Sequence, residues 1–462
     1  MQVAVKVAVK VALRAIPPAA CLAILTAAVW WLVHPTPWFG GTAWVAVMGG
    51  VWVVFGLGVW LLRGTPPKAA AVLTLLGAVA MPLAAGFAPP RSSDDLYRYL
   101  WDGRVQTAGI DPYRYVPAAP ELAHLRDDFL WPKQSAWCEP DEPGHLAAGC
   151  SLINRPASHT IYPPTAQAYF TSVDLLSPNG FRERPIQLAA VLFVLATTVL
   201  ILLTKPRLAA LWAWCPLVAL EAGNNAHLDV VAVFFTVGAL ILAARAKTWR
   251  GTASGAALLG LAIATKFTPA LVGPSLLRRR PVTLIASTAL TVALLYLPHV
   301  LAVGPKVLGF LPEYLRAEGY RTGTRFALLA FALPATVAAV AAALILLGTA
   351  AWVVTRADPD RPWDTAIVMA GVFLLVSTPG YAWYTMLLAA LAALSGRAEW
   401  LAVCVAGYVA QYAANLELHP ITAQQLGYGL AALTVLTVAV IRKATGRVRQ
   451  CHASPRFSEA PG

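Results

Sequence analysis

About 14 apolar runs recur from one end of the chain to the other, and they constrain the fold more than any other feature. They lie at approximately 17–33, 42–62, 69–88, 186–204, 208–222, 228–244, 252–266, 268–277, 282–302, 327–354, 364–378, 383–395, 399–416 and 424–441. Many are close to the roughly 20 residues that cross a hydrocarbon core as a helix. Backbone polar groups cannot be left unpaired in lipid, so helices are the expected form. The sequence therefore predicts an all-α polytopic membrane protein: a bundle of about 12–14 transmembrane or half-spanning helices with a long outer loop layer.

Composition agrees. The 462 residues are 58% hydrophobic and 12% charged, about half the charge of an ordinary soluble domain. A net charge of +13 does not point to nucleic acid, because the basic residues fall in short clusters between apolar runs, as cytoplasmic loops require. No cleavable signal is expected: Lys6, Lys10 and Arg14 precede the first run, and no small-residue cleavage site closes it. With that basic end in the cytoplasm, Arg63, Lys68, Lys205, Arg207, Arg245, Lys247, Arg250 and the run 442–449 fall inside, and 89–185 falls outside. The predicted units are a three-helix membrane segment (1–88), an extracytoplasmic loop region (89–185), a transmembrane bundle (186–441) and a cytoplasmic tail (442–462), multi-pass in the plasma (cytoplasmic) membrane. Residues 252–277 and 362–395 each read as one kinked span or as a hairpin. Charge counting barely separates the two. Length and the Pro379-Gly380 break favour hairpins, some of whose arms are too short to cross.

Of six cysteines, Cys21, Cys215 and Cys404 sit in apolar runs and are expected to pack as small hydrophobes. Cys138 and Cys150 share the outer loop, where a disulfide and two unpaired thiols both remain open.

The polar counterpoint to this hydrocarbon is 89–117, PPRSSDDLYRYLWDGRVQTAGIDPYRYVP, directly after the third apolar run. A helix over 92–106 would be capped by Ser92 or Ser93, with Asp94 and Asp95 in its first turn. Its spacing puts Asp95, Arg98 and Asp102 on one face, with Arg104 beyond. One reading is a capped surface helix with ordinary ion pairs. The other is a site in which carboxylates lie beside the aromatics Tyr97, Tyr99, Trp101, Tyr113 and Tyr115, an environment suited to a sugar, although such rings also belt membrane interfaces.

Four further groups are candidates. Tyr162, in TIYPPTAQ (160–167), faces a cavity or anchors at the interface. The polar knot EAGNNAHLD (221–229) interrupts two apolar runs with Glu221, Asn224, Asn225, His227 and Asp229. It is either a tight turn or a functional site at membrane depth. His227 and Asp229 lack a third ligand at recognisable spacing, so no metal site is assigned, although a divalent ion is not excluded. Lys266, in ATKFTP, needs an anion partner such as a phosphate, or else snorkels. Arg316, Arg321 and Arg325 in the outer loop 304–326 form a second cationic group, a phosphate clamp or an inert charged loop. No phosphate-cradling glycine loop, CxxC, HExxH or GxSxG context is present.

The segments SDDLYRYLWDGRVQTAGIDPYRY (93–115), TIYPPTAQ (160–167), NNAHLD (224–229) and ATKFTPALVGPSLLRRR (264–280) resemble the multi-pass GT-C glycosyltransferases that use polyprenyl-phosphate sugars. The likeness is closest to glycosyltransferase family 87 and the polyprenol-phosphomannose-dependent mannosyltransferases. It implies a general base in the first large outer loop, here Asp94 or Asp95, and a hexose, with mannose implied, moved from a polyprenyl phosphate to a cell-envelope glycan or glycolipid. Lys266 and the arginines 316, 321 and 325 would hold phosphate. Arg98, Asp102, Arg104, Tyr113, Tyr162, Asn225, His227 and Asp229 would contact or support the sugar. No cofactor beyond the lipid-linked co-substrate is implied. Two rival readings are a transporter or flippase of a lipid-linked glycan, which breaks no bond, and a sugar-lipid-binding subunit without activity.

Overall fold

The computed structural model describes residues 2–34, 41–132, 151–178, 180–320 and 322–453, and among these the regular structure is helical, with no strand. In chain order the α-helices are α1 (Gln2–Val33), α2 (Gly41–Leu62), α3 (Pro67–Gly86), α4 (Asp95–Thr107), α5 (Pro164–Leu176), α6 (Arg184–Leu202), the single turn α7 (Ala210–Ala213), α8 (Asp229–Arg245), α9 (Trp249–Ile263), α10 (Pro281–Val303), α11 (Leu311–Ala317), α12 (Ala327–Ala330), α13 (Ala335–Arg356), α14 (Trp363–Ser377), α15 (Met386–Ser395), α16 (Leu401–Gln411) and α17 (Pro420–Ala453). Seven of the described helices are long and apolar enough to cross a membrane, and eight do so if the bent pair Val218–Asn224 and Asp229–Arg245 is one span. The chain is an all-α polytopic membrane protein.

Both doubtful stretches turn out to be hairpins. α9 climbs to Lys266, and a 3-10 segment, Thr268–Leu276, returns to Arg278–Arg280. α14 climbs to Thr378, which ends it in the left-handed conformation (φ 36°), and α15 returns beside it. The basic groups confirm the geometry. Arg279 pairs with Asp360 and donates to the Ala246 carbonyl, Arg280 donates to that of Lys247, and Arg278 to that of Ala357. Arg207 donates to the Arg63 carbonyl, and Arg442 pairs with Glu399. Single spans would have put the 278–280 cluster at the opposite end from Arg245 and Lys247.

Small residues bring the helices together, as is usual where lipid supplies no hydrophobic drive between them. At Gly77 a Cβ would stand 2.1 Å from the Trp214 indole nitrogen, whose N–H donates to the Leu73 carbonyl. At Gly103 it would stand 2.6 Å from the Phe170 carbonyl oxygen, where α4 crosses α5. That neighbour is backbone and cannot swing away. Gly103→Ala is expected to cost about 1–3 kcal/mol, read as a lower midpoint of thermal unfolding in detergent. An unchanged midpoint would mean that the crossing has slack.

The outer layer over the bundle is small. Trp101, Val105, Leu122, Leu130, Trp131 and Ile153 form its own core. Cys138 and Cys150 lie outside the described residues. Cys21, Cys215 and Cys404 are buried and free.

Candidate functional site

The end of the bundle opposite the basic cluster is where helices stop short. Four breaks meet there: the link from α3 to α4, the bend before α8, the tip after α9 and the turn between α14 and α15.

Asn224 and Asn225 hold the first two breaks together. The Asn224 amide donates to the carbonyls of Ala85, Ala88 and Pro89, and its oxygen accepts from the Arg91 N–H at 2.8 Å. The Asn225 oxygen accepts from the N–H groups of Arg91 and Ser92. Its amide donates to Ser92 Oγ at 2.6 Å and to Glu221 Oε2 at 3.0 Å. These bonds satisfy the loose end of α3, which otherwise leaves orphan carbonyls. Asn225 is thus committed to the scaffold, not free for a sugar.

That grip positions the acid pair. The helix begins at Asp95, later than the predicted start at 92. Asp94 occupies the N-cap position without a side-chain cap, and Ser93 Oγ accepts from the Asp95 N–H at 3.2 Å. The Asn154 amide donates to Asp94 Oδ1 (3.0 Å) and to Asp95 Oδ1 (2.6 Å). Asp95 Oδ2 stays clear of that bond and faces His227 Nδ1 at 3.8 Å. Desolvation raises the Asp95 carboxyl above the usual carboxylate value. Asp94 and Asp229 push the same way, and Asn154 and Lys266 oppose them.

His227 is fully buried, and among the described residues neither ring nitrogen has a hydrogen-bond partner. Glu221 Oε2 stands 3.5 Å from Nε2, and Glu221 is itself held by the Tyr408 hydroxyl at 2.9 Å. The imidazole stacks on Trp383 (centroids 4.1 Å apart), and Trp383 stacks on the more exposed Tyr381 (4.4 Å).

Lys266 Nζ donates to Asp229 Oδ2 at 2.5 Å and sits 4.9 Å above the Tyr384 ring. The Arg325 guanidinium lies 5.9 Å from the centroid of the same ring. It pairs with Glu318, while its Nε is buried and unpaired. The hydroxyls of Tyr384 and Tyr314 are hydrogen-bonded. Asp95, Glu318, Arg325 and Arg155 all lie within electrostatic reach of Tyr381.

The structure therefore brings Asp94, Asp95, His227, Asp229, Lys266 and Arg325 to one place, with Tyr162 in the Tyr99–Phe170 aromatic cluster that borders Asp95. It takes others elsewhere. Arg98 and Asp102 form a buried pair at 2.9 Å. Asp102 Oδ2 accepts from Thr160 Oγ1 (2.5 Å) and the Gln167 amide (3.0 Å), and Arg98 donates to the carbonyls of Arg155 and Ser158. With those bonds made, both are structural clamps rather than sugar ligands. Arg104 points into the outer layer, paired with Asp127 at 2.8 Å. Tyr113 is 1% exposed and donates to the Tyr162 carbonyl, so it presents no face to a ligand. Arg316 is exposed at the end of α11, and Arg321 lies outside the described residues.

Sequence reasoning passed over Asn154, Arg155, Tyr381, Trp383 and Tyr384, and it gave Glu221 no separate role. The three aromatics stand in PGYAWYT (379–385), a polar, aromatic break inside a run read only as a hairpin. That break was the available signal. Among the described residues no three His, Cys, Asp or Glu side chains are grouped to hold a metal ion.

A family model described as Glycosyltransferase family 87 matches residues 160–379. The matched stretch includes the 224–229 knot, Lys266 and Arg325, and it begins after the acid pair. No curated protein and no solved structure matches the chain.

Proposed function

We propose, on the support of the match of residues 160–379 to glycosyltransferase family 87, that the chain is a membrane glycosyltransferase, and that it carries out a single-displacement transfer of a hexose, mannose by resemblance, from a polyprenyl-phosphate donor. The acceptor is an outer-face glycan or glycolipid, and the site lies on the extracytoplasmic side of the plasma membrane. The basic end of the bundle supports that orientation. Asp95 is the base. Its Oδ1 is held by Asn154, so Oδ2 is positioned, and among the described residues Oδ2 makes no hydrogen bond; this is the observation that carries the assignment.

In the reaction Asp95 Oδ2 takes the proton of the acceptor hydroxyl. The acceptor oxygen then forms a bond to the anomeric carbon as the bond from that carbon to the phosphate oxygen breaks. The electron pair leaves with the polyprenyl phosphate, which needs little protonation. The anomeric centre inverts, because one carboxylate acts and no glycosyl-enzyme forms. Lys266 has three donors and spends one on Asp229, which leaves two for phosphate oxygens. Arg325, beside the same Tyr384 ring, adds a second positive charge. Asp229 and Glu318 orient these cations, and His227, held by Trp383, flanks the base.

Full-length protein in lipid nanodiscs, given labelled polyprenyl-phosphate mannose and a candidate glycolipid acceptor, is expected to release polyprenyl phosphate and form one glycosidic bond of inverted configuration. A retained configuration would remove the single-displacement mechanism. Movement of label across vesicles with no new bond would identify a transporter instead.

A further inference from the structure

We infer that Arg155 is a phosphate-recognising residue at the mouth of this site, taking a phosphate monoester or diester borne by the incoming or departing substrate. The inference rests on the reading of the site as a lipid-phosphate-dependent transferase, and its test separates the two.

The first argument is charge balance. Lys266 is matched by Asp229 and Arg325 by Glu318. Among the described residues, Asp94 and Asp95 share only the neutral Asn154 amide as their close side-chain hydrogen-bond donor. A donor phosphate adds another negative charge to a place already rich in carboxylate. The site needs a cation that no acid has claimed. Arg155 adjoins Asn154, is exposed, and makes no ion pair among the described residues. Its guanidinium lies 4.9 Å from the centroid of the Phe310 ring, at the start of the loop that carries Glu318 and Arg325. A planar fork suits phosphate oxygens better than a point charge does.

The second argument is backbone conformation. Arg155 has φ 45°, in the left-handed region, although the residue before a proline is biased toward extended conformations and Pro156 follows. The turn is held from beneath: the Ser158 N–H donates to the Arg155 carbonyl at 2.9 Å, and the buried Arg98 guanidinium donates to the carbonyls of Arg155 and Ser158 at 3.5 and 3.1 Å. Such conformations persist where the surroundings over-determine them, and they cluster at functional sites. Here the same turn points the Asn154 amide at the acid pair and sets Arg155 beside it. One short strap thus carries the group that fixes the base and the cation that meets the phosphate.

The test is binding, without turnover. Full-length protein in nanodiscs is titrated with polyprenyl phosphate, with the neutral polyprenol of the same length, and with inorganic phosphate as competitor. Wild type should prefer the phosphate to the alcohol. Arg155→Ala should weaken polyprenyl phosphate by about 10- to 100-fold, the range for loss of a charge-assisted contact, and leave polyprenol unchanged. Arg155→Lys should recover part of the loss. Competition by inorganic phosphate would identify a free-anion site, and its absence a lipid-borne one. Undiminished phosphate preference in both variants would overturn the inference. If Asp95→Asn keeps full turnover while Arg155→Ala loses phosphate affinity, the base assignment fails and the Arg155 site stands.

Discussion

Asp95→Asn is expected to lower kcat by about 10²–10⁴-fold, the usual contribution of a positioned general base, with the donor KM little changed. An amide is nearly isosteric with the carboxylate and keeps an oxygen for Asn154, but it cannot accept the acceptor's proton. Asp94→Asn should cost far less. Asp94 is exposed and at the N-cap, and it offers the site only an oxygen shared with the same Asn154 amide. The pH profile follows from the environment. In the proposed mechanism the active form is the carboxylate, and burial raises the Asp95 carboxyl above its ordinary value. Activity must therefore fall as pH drops through that raised value, so the acid limb should lie above the usual aspartate range near 4. Single-turnover rates from about pH 4 to 8 in nanodiscs would check both statements. Equal losses in the two variants, or an acid limb at the ordinary value, would reassign the base.

The second large effect is on stability. Asp102→Leu should destabilise the protein by about 3–5 kcal/mol, because it leaves the Arg98 guanidinium buried without its anion. Both partners are nearly inaccessible, at 4% and 3% side-chain exposure. Thr160 and Gln167 also lose an acceptor. The double variant Arg98→Met, Asp102→Leu removes both charges, and apolar replacement of a buried pair is often near neutral. It should recover much of the thermal midpoint in detergent. It should not recover activity, since the strap bearing Asn154 and Arg155 loses the Arg98 bonds beneath it. Equal instability of the single and double variants would show that the unpaired charge is not the cause.

Much of the fold was legible. Apolar length and basic clusters gave the all-α membrane architecture, and the 34 positions of 362–395 with Pro379-Gly380 gave a hairpin that the structure contains. Periodicity also put Arg98 and Asp102 on one face, where they do pair. It could not say which way that face turns. A helix with six charged or aromatic residues near its start reads the same whether the pair meets a ligand or a neighbouring loop, and here Thr160 and Gln167 complete it from 58 and 65 positions away. Tyr113 was misjudged for the same reason: its hydroxyl is consumed by a carbonyl 49 positions on. Lys266 and Asp229 were each legible as ionisable groups stranded in apolar sequence. Their 2.5 Å contact across 37 positions was not.

The half-length hairpins set how deep the reacting groups sit. α14 has 15 residues, about 22 Å at the usual rise, against roughly 30 Å of hydrocarbon. A helix of that length falls short of a full crossing, so the turn that follows it, with Trp383 and Tyr384, is the tip of a half-length hairpin, and Lys266 lies at the matching tip. The proposed donor, anchored by an isoprenoid tail, would bring its sugar to these tips by sliding sideways, its chain still dissolved among the acyl tails. The partner it meets must descend from the water. A truncated, water-soluble donor analogue would forfeit that lateral route even with its head group intact.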